Sequence, residues 1–573
     1  MPRSFNGPRP TADACHDKGP SPDEPGPSGP LPSRSPSVRP IRTKARPTTD
    51  PTERRVMKHT VLALCSALAL ALPALGQAQD RYVHANNSAY DTLDPHTVRD
   101  VARVASRLNF YDGLYRWVDN PPQLIPWLAT DHTVSDDGLT WTFHLRDDVP
   151  FHDGSLMTAD DVVYSFERML ELKRGAGSLF LPMIDPGSTV AVDDHTVAFT
   201  LKEPSAIFAA LVPDILVVNK DVVQEHEVDG DMGQAYLIDH VAGSGSYTLK
   251  RYDPARGFVG ERFADHFAGW GDKYFDEIEF RTVLETNTRI QGLMRGDYQG
   301  LDGYLAPDQV DRLRQDDDVQ IIEEESMRVF HIAMHNGRAP LDDKNFRMAM
   351  VHAFDYDGYI NEIMQGTVAR NPTIVPGNLW GAPDVPGYDF DLDKAREYLD
   401  AYKAEHGEEI RTLKIGTLAG FSETEQAAAL MQNGLSQLGI EVEIESSPWP
   451  VISSNMQNPE TMPDMVPYWK STYYVDPNNW VGELYASRYA PTRNVSDYHN
   501  AQVDEELEKA LVITDQDERA ELYKAATKQI YDDAAGIWIY NTKWFGPYAS
   551  NVKNVRFCPV GNGQDMRWAY LEH

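Results

Sequence analysis

Aromatic and polar side chains alternate in one short segment, residues 463–484, which reads PDMVPYWKSTYYVDPNNWVGEL. Trp469, Tyr473 and Trp480 are interleaved there with Lys, Ser, Thr and Asn residues, whereas a stripe that served only as hydrophobic core would not alternate. Aromatic walls with a few polar groups are typical of clefts that sandwich an organic ligand such as a peptide or a sugar. Some of these rings are expected to fill the core, but we predict that Trp469, Tyr473 and Trp480 bind a ligand.

Motifs for catalysis do not accompany this segment. The run from Gly243 to Gly245 lacks the G-x-S-x-G spacing, and His226 does not open an H-E-x-x-H motif. Acidic pairs such as Asp136 and Asp137 fall at turns, whereas glycosidase carboxylates need an apolar pocket that separates their pKa values. We therefore predict a protein that is not an enzyme, with a secreted hydrolase using paired carboxylates as the alternative.

Histidine spacing does not indicate a metal site. His331 and His335 lie on one face of a predicted strand, but they are about 13 Å apart and cannot share one ion. His144 and His152 are separated by a turn, and no carboxylate or thiol accompanies them at ligand spacing. We predict no metal site and no cofactor.

The elements that position these residues begin with residues 127–170, which predict a hairpin, a turn and a helix. The second strand of the hairpin alternates, with Trp141 and Phe143 on one face. Thr158 then acts as a helix N-cap, with Asp161 three residues on, close to a capping box.

A βαβ unit is predicted towards the other end of the chain. Leu413–Thr417 and Ile440–Ile444 are strands that flank the helix Thr424–Leu438, so the two strands are parallel and joined by a right-handed crossover. The other predicted strands are Arg81–Ala85, Tyr247–Arg251, Glu279–Val283, Val329–His335, Ile537–Tyr540 and Val552–Phe557, and the other predicted helices are Thr97–Phe110, Asn287–Arg295, Val503–Leu511 and Glu518–Asp532.

Residues 127–170 also resemble a known block of sequence. The run WLATDHTVSDDGLTWTFHLRDDVPFHDGSLMTADDVVYSFERML resembles the "W..SEDG.TYTF.LR..V.FHDG...TADDV..S" block of the periplasmic peptide/nickel/oligosaccharide-binding proteins of ABC importers, solute-binding family 5. Gly243–Tyr247 resembles that family's "GTGPY" block, and Asn336–Asp355 follows its "fN...PF.D.RVR.A...AID" pattern. The resemblance runs from about Tyr82 to the C-terminus.

The resemblance implies an α/β fold of the two-lobed periplasmic-binding-protein kind (class II, large three-subdomain type) with a hinge and an inter-lobe cleft. The chain is expected to cross between the lobes near Ile332 and Ile537. The implied division is residues 79–110, 243–332 and 538–573 for the core of lobe I, 111–242 for its extra subdomain, and 333–537 for lobe II.

The same resemblance implies the function. The chain is expected to be a monomeric solute receptor that captures a peptide-like or oligosaccharide-like solute by lobe closure and delivers it to the permease and ATPase subunits in the inner membrane. A metal or metallophore carrier is a further alternative, since nickel binders share this fold.

One family feature is missing here. In the peptide binders an aspartate between the tryptophan and the DP pair anchors the ammonium group of the ligand, and that position is Thr472 or Tyr473 in this chain. Asp476 and Asp464 are the candidates to replace it. A blocked or unusual peptide, an oligosaccharide or an opine-like conjugate therefore fits at least as well as a standard peptide.

Further ligand contacts are expected from family position. Open α/β sheets place ligands beyond the carboxyl ends of their strands, which indicates the loop after the first strand. The complete set of predicted ligand-binding residues is Asn87, Ser88, Tyr90, Tyr111, Asn336, Trp380, Trp469, Thr472, Tyr473, Asp476 and Trp480.

The charge of the chain excludes two classes of partner. The formal net charge is −34 at pH 7, and both nucleic acids and anionic membranes require basic patches on the proteins that bind them. We predict a highly soluble protein that binds neither.

The N-terminal part of the sequence predicts export. Residues 1–56 hold 13 of the 39 prolines and show no apolar periodicity, as a disordered extension or a misassigned start would. Met57 then opens a signal peptide, residues 57–78, whose apolar stretch is too short to span a membrane. Cys65 follows Leu64 rather than a small residue, so no lipid anchor is expected, and after cleavage only Cys558 remains, which rules out an intramolecular disulfide.

We expect the mature protein to be periplasmic and to begin near Gln79, because cleavage follows the small residues Gly76–Ala78. Mass spectrometry of the secreted protein measures this N-terminus. Retention of residues 1–56 in the secreted protein would contradict a start at Met57.

Overall fold

The computed structural model describes residues 80–573 except Thr514, Asn562 and Gly563. The signal peptide and residues 1–56 lie outside the described residues. The strands, in chain order, are β1 (Arg81–Asn86), β2 (Tyr115–Val118), β3 (Gln123–Pro126), β4 (Ala129–Val134), β5 (Thr140–Leu145), β6 (Ile184–Asp193), β7 (Thr196–Leu201), β8 (Tyr247–Asp253), β9 (Gly257–Arg262), β10 (Glu277–Thr282), β11 (Gly300–Leu301), β12 (Val319–Met334), β13 (Ala369–Arg370), β14 (Leu413–Leu418), β15 (Val442–Ser447), β16 (Met465–Lys470), β17 (Gly536–Ala549), β18 (Val552–Lys553) and β19 (Tyr570–Leu571).

Helices cover the sheets that these strands form. The α-helices are Val104–Phe110, Ala159–Leu172, Gly177–Phe180, Phe208–Leu211, Lys220–Glu225, Gln234–Leu237, Thr286–Met294, Pro307–Arg314, Lys344–Ala353, Tyr356–Gly358, Leu392–His406, Ser422–Gln437, Trp449–Met456, Val481–Tyr485, Ala501–Val512 and Gln516–Asp532. Among the described residues, none of these helices has the length and apolar character needed to cross a membrane.

One large mixed sheet runs through the described part of the chain. Its order is β15-β14-β16-β12-β17-β11-β1-β10-β9-β8, with β13 paired to β17. β1 is parallel to β10 and β11, β14 is parallel to β15 and β16, and β12 is antiparallel to both β16 and β17. The predicted α/β class is confirmed.

The pair β12 and β17 joins the two ends of this sheet. β12 has 16 residues and β17 has 14, so each is long enough to pair with strands of both ends. The register between them shifts between Glu325 and Val329. Up to Glu325, β12 pairs with residues 543–549, and from Val329 it also pairs with β16. The expected crossings near Ile332 and Ile537 lie on these same two strands and stay a prediction.

A second sheet, antiparallel and ordered β4-β5-β7-β6, covers residues 129–201. The predicted hairpin, turn and helix are confirmed here. Thr158 and Asp161 form the predicted capping box at the start of the helix Ala159–Leu172. Phe143 of β5 and Phe166 of the helix are fully buried in the same core, which is what their spacing predicts.

Two predicted elements are shorter than expected. The helix predicted over Thr97–Phe110 begins only as a 3₁₀ turn at Val101, because the Asp100 carboxylate accepts the backbone N–H of Arg103 and caps the helix there. The strand predicted over Val552–Phe557 is only two residues long, since Asn554 adopts a left-handed conformation with φ of 55°.

The predicted βαβ unit is confirmed as β14, the helix Ser422–Gln437 and β15. Gly434 lets this helix pack closely against the end of the helix Lys344–Ala353, since a Cβ atom at position 434 would lie 2.0 Å from the carbonyl oxygen of Ala353. A β-carbon has no room there.

A buried ion pair fixes the helix Ala159–Leu172 to the loop after β1. The Arg168 guanidinium donates to both carboxylate oxygens of Asp94, at 2.9 and 2.7 Å, and both side chains are 1% exposed. Burial, together with the charge of Arg168, lowers the pKa of His96 to about 4, so the neutral ring accepts a further hydrogen bond from Arg168 at 2.9 Å.

We expect Asp94→Asn to lower the free energy of unfolding by about 3–5 kcal/mol, because it leaves the Arg168 charge buried without its counter-ion. Chemical denaturation measures this change. The control is Asp148→Asn, which removes an exposed partner of Arg146 and should hardly move the transition midpoint. Equal effects of the two substitutions would contradict a structural role for the buried pair.

Candidate functional site

A cavity of about 480 Å³ lies beyond the carboxyl ends of β1 and β11, which are parallel to each other, and of β14, which is parallel to β15 and β16. We call it the main cavity. Ligands of open α/β sheets bind at this position. The wall contributed by the first part of the chain includes Asn86–Ser88, Thr97–Val101, Lys173–Gly175, Ser178, Asp302 and Tyr304. The opposite wall includes Leu418, Phe421, Trp449, Tyr468–Ser471, Tyr473, Thr492 and Arg493.

Four of the predicted ligand-binding residues line the main cavity: Asn87, Ser88, Trp469 and Tyr473. The backbone N–H of Asn87 donates to the Asp302 carboxylate, and the Asn87 side-chain nitrogen is buried without a partner. Trp469 is only 8% exposed and packs against Phe330, with ring centroids 4.9 Å apart. It is therefore both a wall of the cavity and part of the core.

The other predicted residues do not line the main cavity. Tyr90 is fully buried against Phe258, with ring centroids 4.9 Å apart. Trp480 is fully buried as well, and Tyr111 borders a separate cavity of about 70 Å³. These three rings have the surroundings of packing residues, as large aromatic side chains commonly do.

The polar predictions outside the cavity make internal contacts. The Asn336 amide donates to the carbonyl oxygens of Met334 and Ala535, and Thr472 is fully buried. Trp380 lies beneath the guanidinium of Arg519. These contacts hold the chain next to the main cavity in place, and the residues that make them do not form the cavity wall.

Neither candidate for the missing ammonium anchor faces the main cavity. Asp476 forms an ion pair with Arg519 at 2.8 Å and caps the turn that follows it. Asp464 is 1% exposed and accepts hydrogen bonds from the Arg411 guanidinium and the Lys414 backbone. Both carboxylates are therefore already engaged by internal donors.

A buried charge cluster positions Tyr473. The Glu483 carboxylate accepts from Lys470 at 2.7 Å and from Arg99 at 3.4 Å, and Arg99 also pairs with Asp214 at 2.8 Å. The Arg99 guanidinium lies 4.4 Å from the centroid of the Tyr473 ring. Arg99 therefore connects the two walls of the cavity and supports the tyrosine face by a cation–π contact.

The pKa values in this cluster follow from burial and pairing. Burial lowers the pKa of Lys470 to about 8, although Glu483 opposes the shift. Burial alone would raise the pKa of Glu483, but Lys470 and Arg99 lower it below its ordinary value. The carboxylate thus stays ionised between two cations.

The cavity is basic although the chain as a whole is strongly acidic. Its lining includes six cations and two carboxylates, Asp100 and Asp302. Asp100 pairs with Arg103, and Asp302 accepts from the ring of His84 at 3.3 Å. The lining cations are Arg99, Lys173, Arg174, Arg328, Lys470 and Arg493.

None of these six cations was among the predicted ligand contacts. Lys470 alone lies in the aromatic segment 463–484, and the other five come from four separate parts of the chain. Arg493 shows how the fold brings them together: its guanidinium donates to the carbonyl oxygen of Gly175 at 2.6 Å and to Ser178 Oγ at 3.4 Å, across the cavity mouth. These three residues lie outside the strands, and Arg493 is more than 300 positions from the other two in the chain, so only the tertiary structure reveals the contact.

Possible metal ligands lie elsewhere. No histidine or cysteine is among the described residues that line the main cavity. His331 is buried with no hydrogen-bond partner on either ring nitrogen, and burial lowers its pKa to about 3. Asp343, Glu405 and His406 approach one another away from the cavity, but Asp343 caps a helix there.

Comparisons with known proteins agree with this geometry. The chain is 29% identical over 440 residues to the probable D,D-dipeptide-binding periplasmic protein DdpA of Escherichia coli, a match that covers 76% of this chain and 82% of that protein. It is 26% identical over 532 residues to heme-binding protein A of Haemophilus influenzae, covering 87% and 95%. These relatives are named as binding proteins.

Solved structures share the fold. The periplasmic binding protein DppA of Helicobacter pylori, in complex with the peptide STSA, superposes with a TM-score of 0.80 at 25% identity, covering 86% of this chain and 99% of that chain. NikA of Staphylococcus aureus, in complex with Ni(L-His)2, gives a TM-score of 0.74 at 18% identity, covering 86% and 100%, and supports the fold alone.

A family model supplies the assignment. The model for bacterial extracellular solute-binding proteins, family 5 Middle, matches residues 123–491, which is more than half of the chain. The two-lobed fold class inferred from the resemblance is confirmed by this match and by the solved structures. This chain therefore belongs to the bacterial extracellular solute-binding proteins of family 5.

Proposed function

We propose that this protein is exported through a cleaved signal peptide without a lipid anchor, and that as a monomer it delivers a captured organic solute to the permease and ATPase of an ABC importer. The observation that carries the proposal is the main cavity, whose walls come from two distant parts of the chain. A receptor that encloses its solute by closing two lobes requires such a cavity.

Closure is proposed to occur about the strand pair β12 and β17. These are the two strands on which the expected lobe crossings lie, and their register is irregular between Glu325 and Val329. Two contacts between the walls are of the kind that lobe closure would form. Arg493 contacts Gly175, and Arg99 contacts Glu483. The implied lobe limits, with residues 333–537 as lobe II, are part of this proposal.

The size and walls of the cavity favour an organic solute of moderate size. A volume of about 480 Å³ falls within the range of small-molecule sites. Trp469 and Tyr473 supply aromatic faces, and stacking on such faces with a few directed hydrogen bonds accounts for affinity without chemistry. We propose a peptide-like solute, with an oligosaccharide-like one as the second candidate.

The two other hypotheses have less support. A hydrolase with paired carboxylates needs two free acids in one pocket, and both Asp100 and Asp302 are engaged by internal donors. Direct capture of a metal ion needs ligands such as histidine or cysteine, which the described lining lacks.

We expect the purified protein to retain a solute that native mass spectrometry detects as a mass increment on the intact chain. A solute added at about one hundred times its Kd should stabilise the protein by about 2.7 kcal/mol, which a thermal-shift assay measures as a rise in Tm. Release of a chemically altered compound would contradict a receptor that binds without catalysis.

We expect Tyr473→Ala to weaken solute binding by up to about tenfold, because it removes one aromatic face of the cavity. Its effect on the Tm of the unliganded protein should be small beside that of Trp480→Ala, which empties a fully buried site and should cost about 3–5 kcal/mol. Isothermal titration and thermal unfolding of both variants test this, and the opposite ranking would place Tyr473 in the core.

A further inference from the structure

Arg328 is a buried arginine that lines the main cavity. It lies on β12 within the register shift, where its backbone N–H donates to Ser326 Oγ at 3.2 Å and that hydroxyl donates to the Thr542 carbonyl at 2.6 Å. The residue is 5% exposed. Its guanidinium carbon lies 4.6 Å from the ring centroid of Tyr304 and 5.4 Å from that of Trp469.

No carboxylate of the described residues lies within 4.0 Å of this guanidinium, and its Nε is buried without a hydrogen-bond partner. This contrasts with Arg99 and Lys470 in the same lining, which both pair with Glu483. A buried cation without a counter-ion is costly. A ligand that carries an anionic group would act as the counter-ion of Arg328 and remove this cost.

Carboxyl groups lie near Arg328, but none of the described ones forms an ion pair with it. A second cavity of about 40 Å³ adjoins it and is lined by Glu423, Lys543 and Asp302 among others. Burial raises the pKa of Glu423 above its ordinary value, although Arg328 opposes the shift, and no oxygen of this carboxyl lies within 4.0 Å of the Arg328 guanidinium. Asp302 already accepts from Asn87 and His84, and Lys543 adds positive charge.

Other cations reinforce the positive field at the main cavity. Arg493, Lys173 and Arg174 line it, and no described carboxylate forms an ion pair with any of the three. In a chain of net charge −34, a cleft lined by the opposite sign focuses its field on anionic solutes and speeds their association.

We propose that Arg328 anchors a carboxylate of the solute through a two-pronged hydrogen bond, so that the imported compound is an organic acid rather than a neutral or cationic molecule. The planar guanidinium presents a fork that matches a carboxylate, and its position over two aromatic rings orients that fork. The inference rests on the proposed receptor function and specifies its substrate class.

The test is a thermal-shift panel on the full mature protein with matched small molecules. It contains N-acetyl dipeptides as free acids and as C-terminal amides, dipeptides with free amines and amidated carboxyl ends, organic phosphates, neutral oligosaccharides, and the solute extracted from the purified protein. Compounds that raise the Tm then go to isothermal titration with the wild type, Arg328→Met and Arg328→Lys. The control, Arg488→Met, removes an exposed arginine outside the cavity.

We expect the compounds that bind to carry carboxylates, and their amides to bind far more weakly. Arg328→Met should weaken binding by about thirtyfold or more, Arg328→Lys by less, and Arg488→Met not at all. The Tm of unliganded Arg328→Met should equal or exceed that of the wild type, since the substitution removes an uncompensated buried charge. A purely structural arginine would show the reverse.

Three outcomes overturn the inference in distinguishable ways. A neutral or cationic solute that binds Arg328→Met as tightly as the wild type refutes the acid anchor but leaves the receptor function intact. Binding of phosphates alone shows that the anion is not a carboxylate. If no compound, including the extract, binds the wild type, the proposed receptor function itself fails and the inference fails with it.

Discussion

The antiparallel pairing of β12 with β17 joins the two ends of the large sheet. These two strands lie in the middle of the large sheet, with β16 on one side and β11 on the other. Several lining residues of the main cavity lie on this pair or on strands beside it, among them Arg328 on β12 and Tyr468–Lys470 on β16. The backbone groups of this pair are hydrogen-bonded to each other, which holds the two ends of the sheet together, and the register between them is irregular at Glu325–Val329, where we propose that the lobes hinge.

Charge is distributed unevenly on this framework. The chain carries an excess of carboxylates, yet the main cavity concentrates cations that are far apart in sequence. Some of these cations are structural: Arg99 and Lys470 share Glu483 and hold the Tyr473 ring in place. For others, Arg328 above all, no carboxylate among the described residues forms an ion pair with the cation. The distinction matters because a paired buried charge mainly organises the fold, whereas an unpaired one favours binding of an external anion.

More of the fold than of the ligand site could be predicted from the sequence, because secondary structure depends on local contacts whereas the site depends on residues brought together by the fold. Period-two and helical patterns identified the hairpin, the capping box at Thr158 and the βαβ unit around the helix Ser422–Gln437, because these elements are decided by local contacts. The predicted helix Thr97–Phe110 places Asp100 in its interior, whereas this residue is the cap of the observed helix, because a cap is not visible from periodicity alone. In the site, Trp469 and Tyr473 were predicted from the alternation of rings with polar residues, but Trp480 follows the same alternation and is fully buried. Arg328 could not be predicted, because its missing counter-ion is a property of three-dimensional neighbours and not of spacing.

The position of Arg328 also connects recognition to the proposed motion. It stands on β12 within the irregular register, so its guanidinium is held by the strand about which closure is proposed, and the rings of Tyr304 and Trp469 flank it from opposite walls of the main cavity. In an open form, separation of those walls would expose the guanidinium to water, which solvates the charge at little cost. The proposed closure removes that water. The free-energy difference between the open and closed forms therefore depends on whether an anion is bound to Arg328. Without an anion, the buried charge disfavours the closed form, whereas a bound acid neutralises the charge and favours closure.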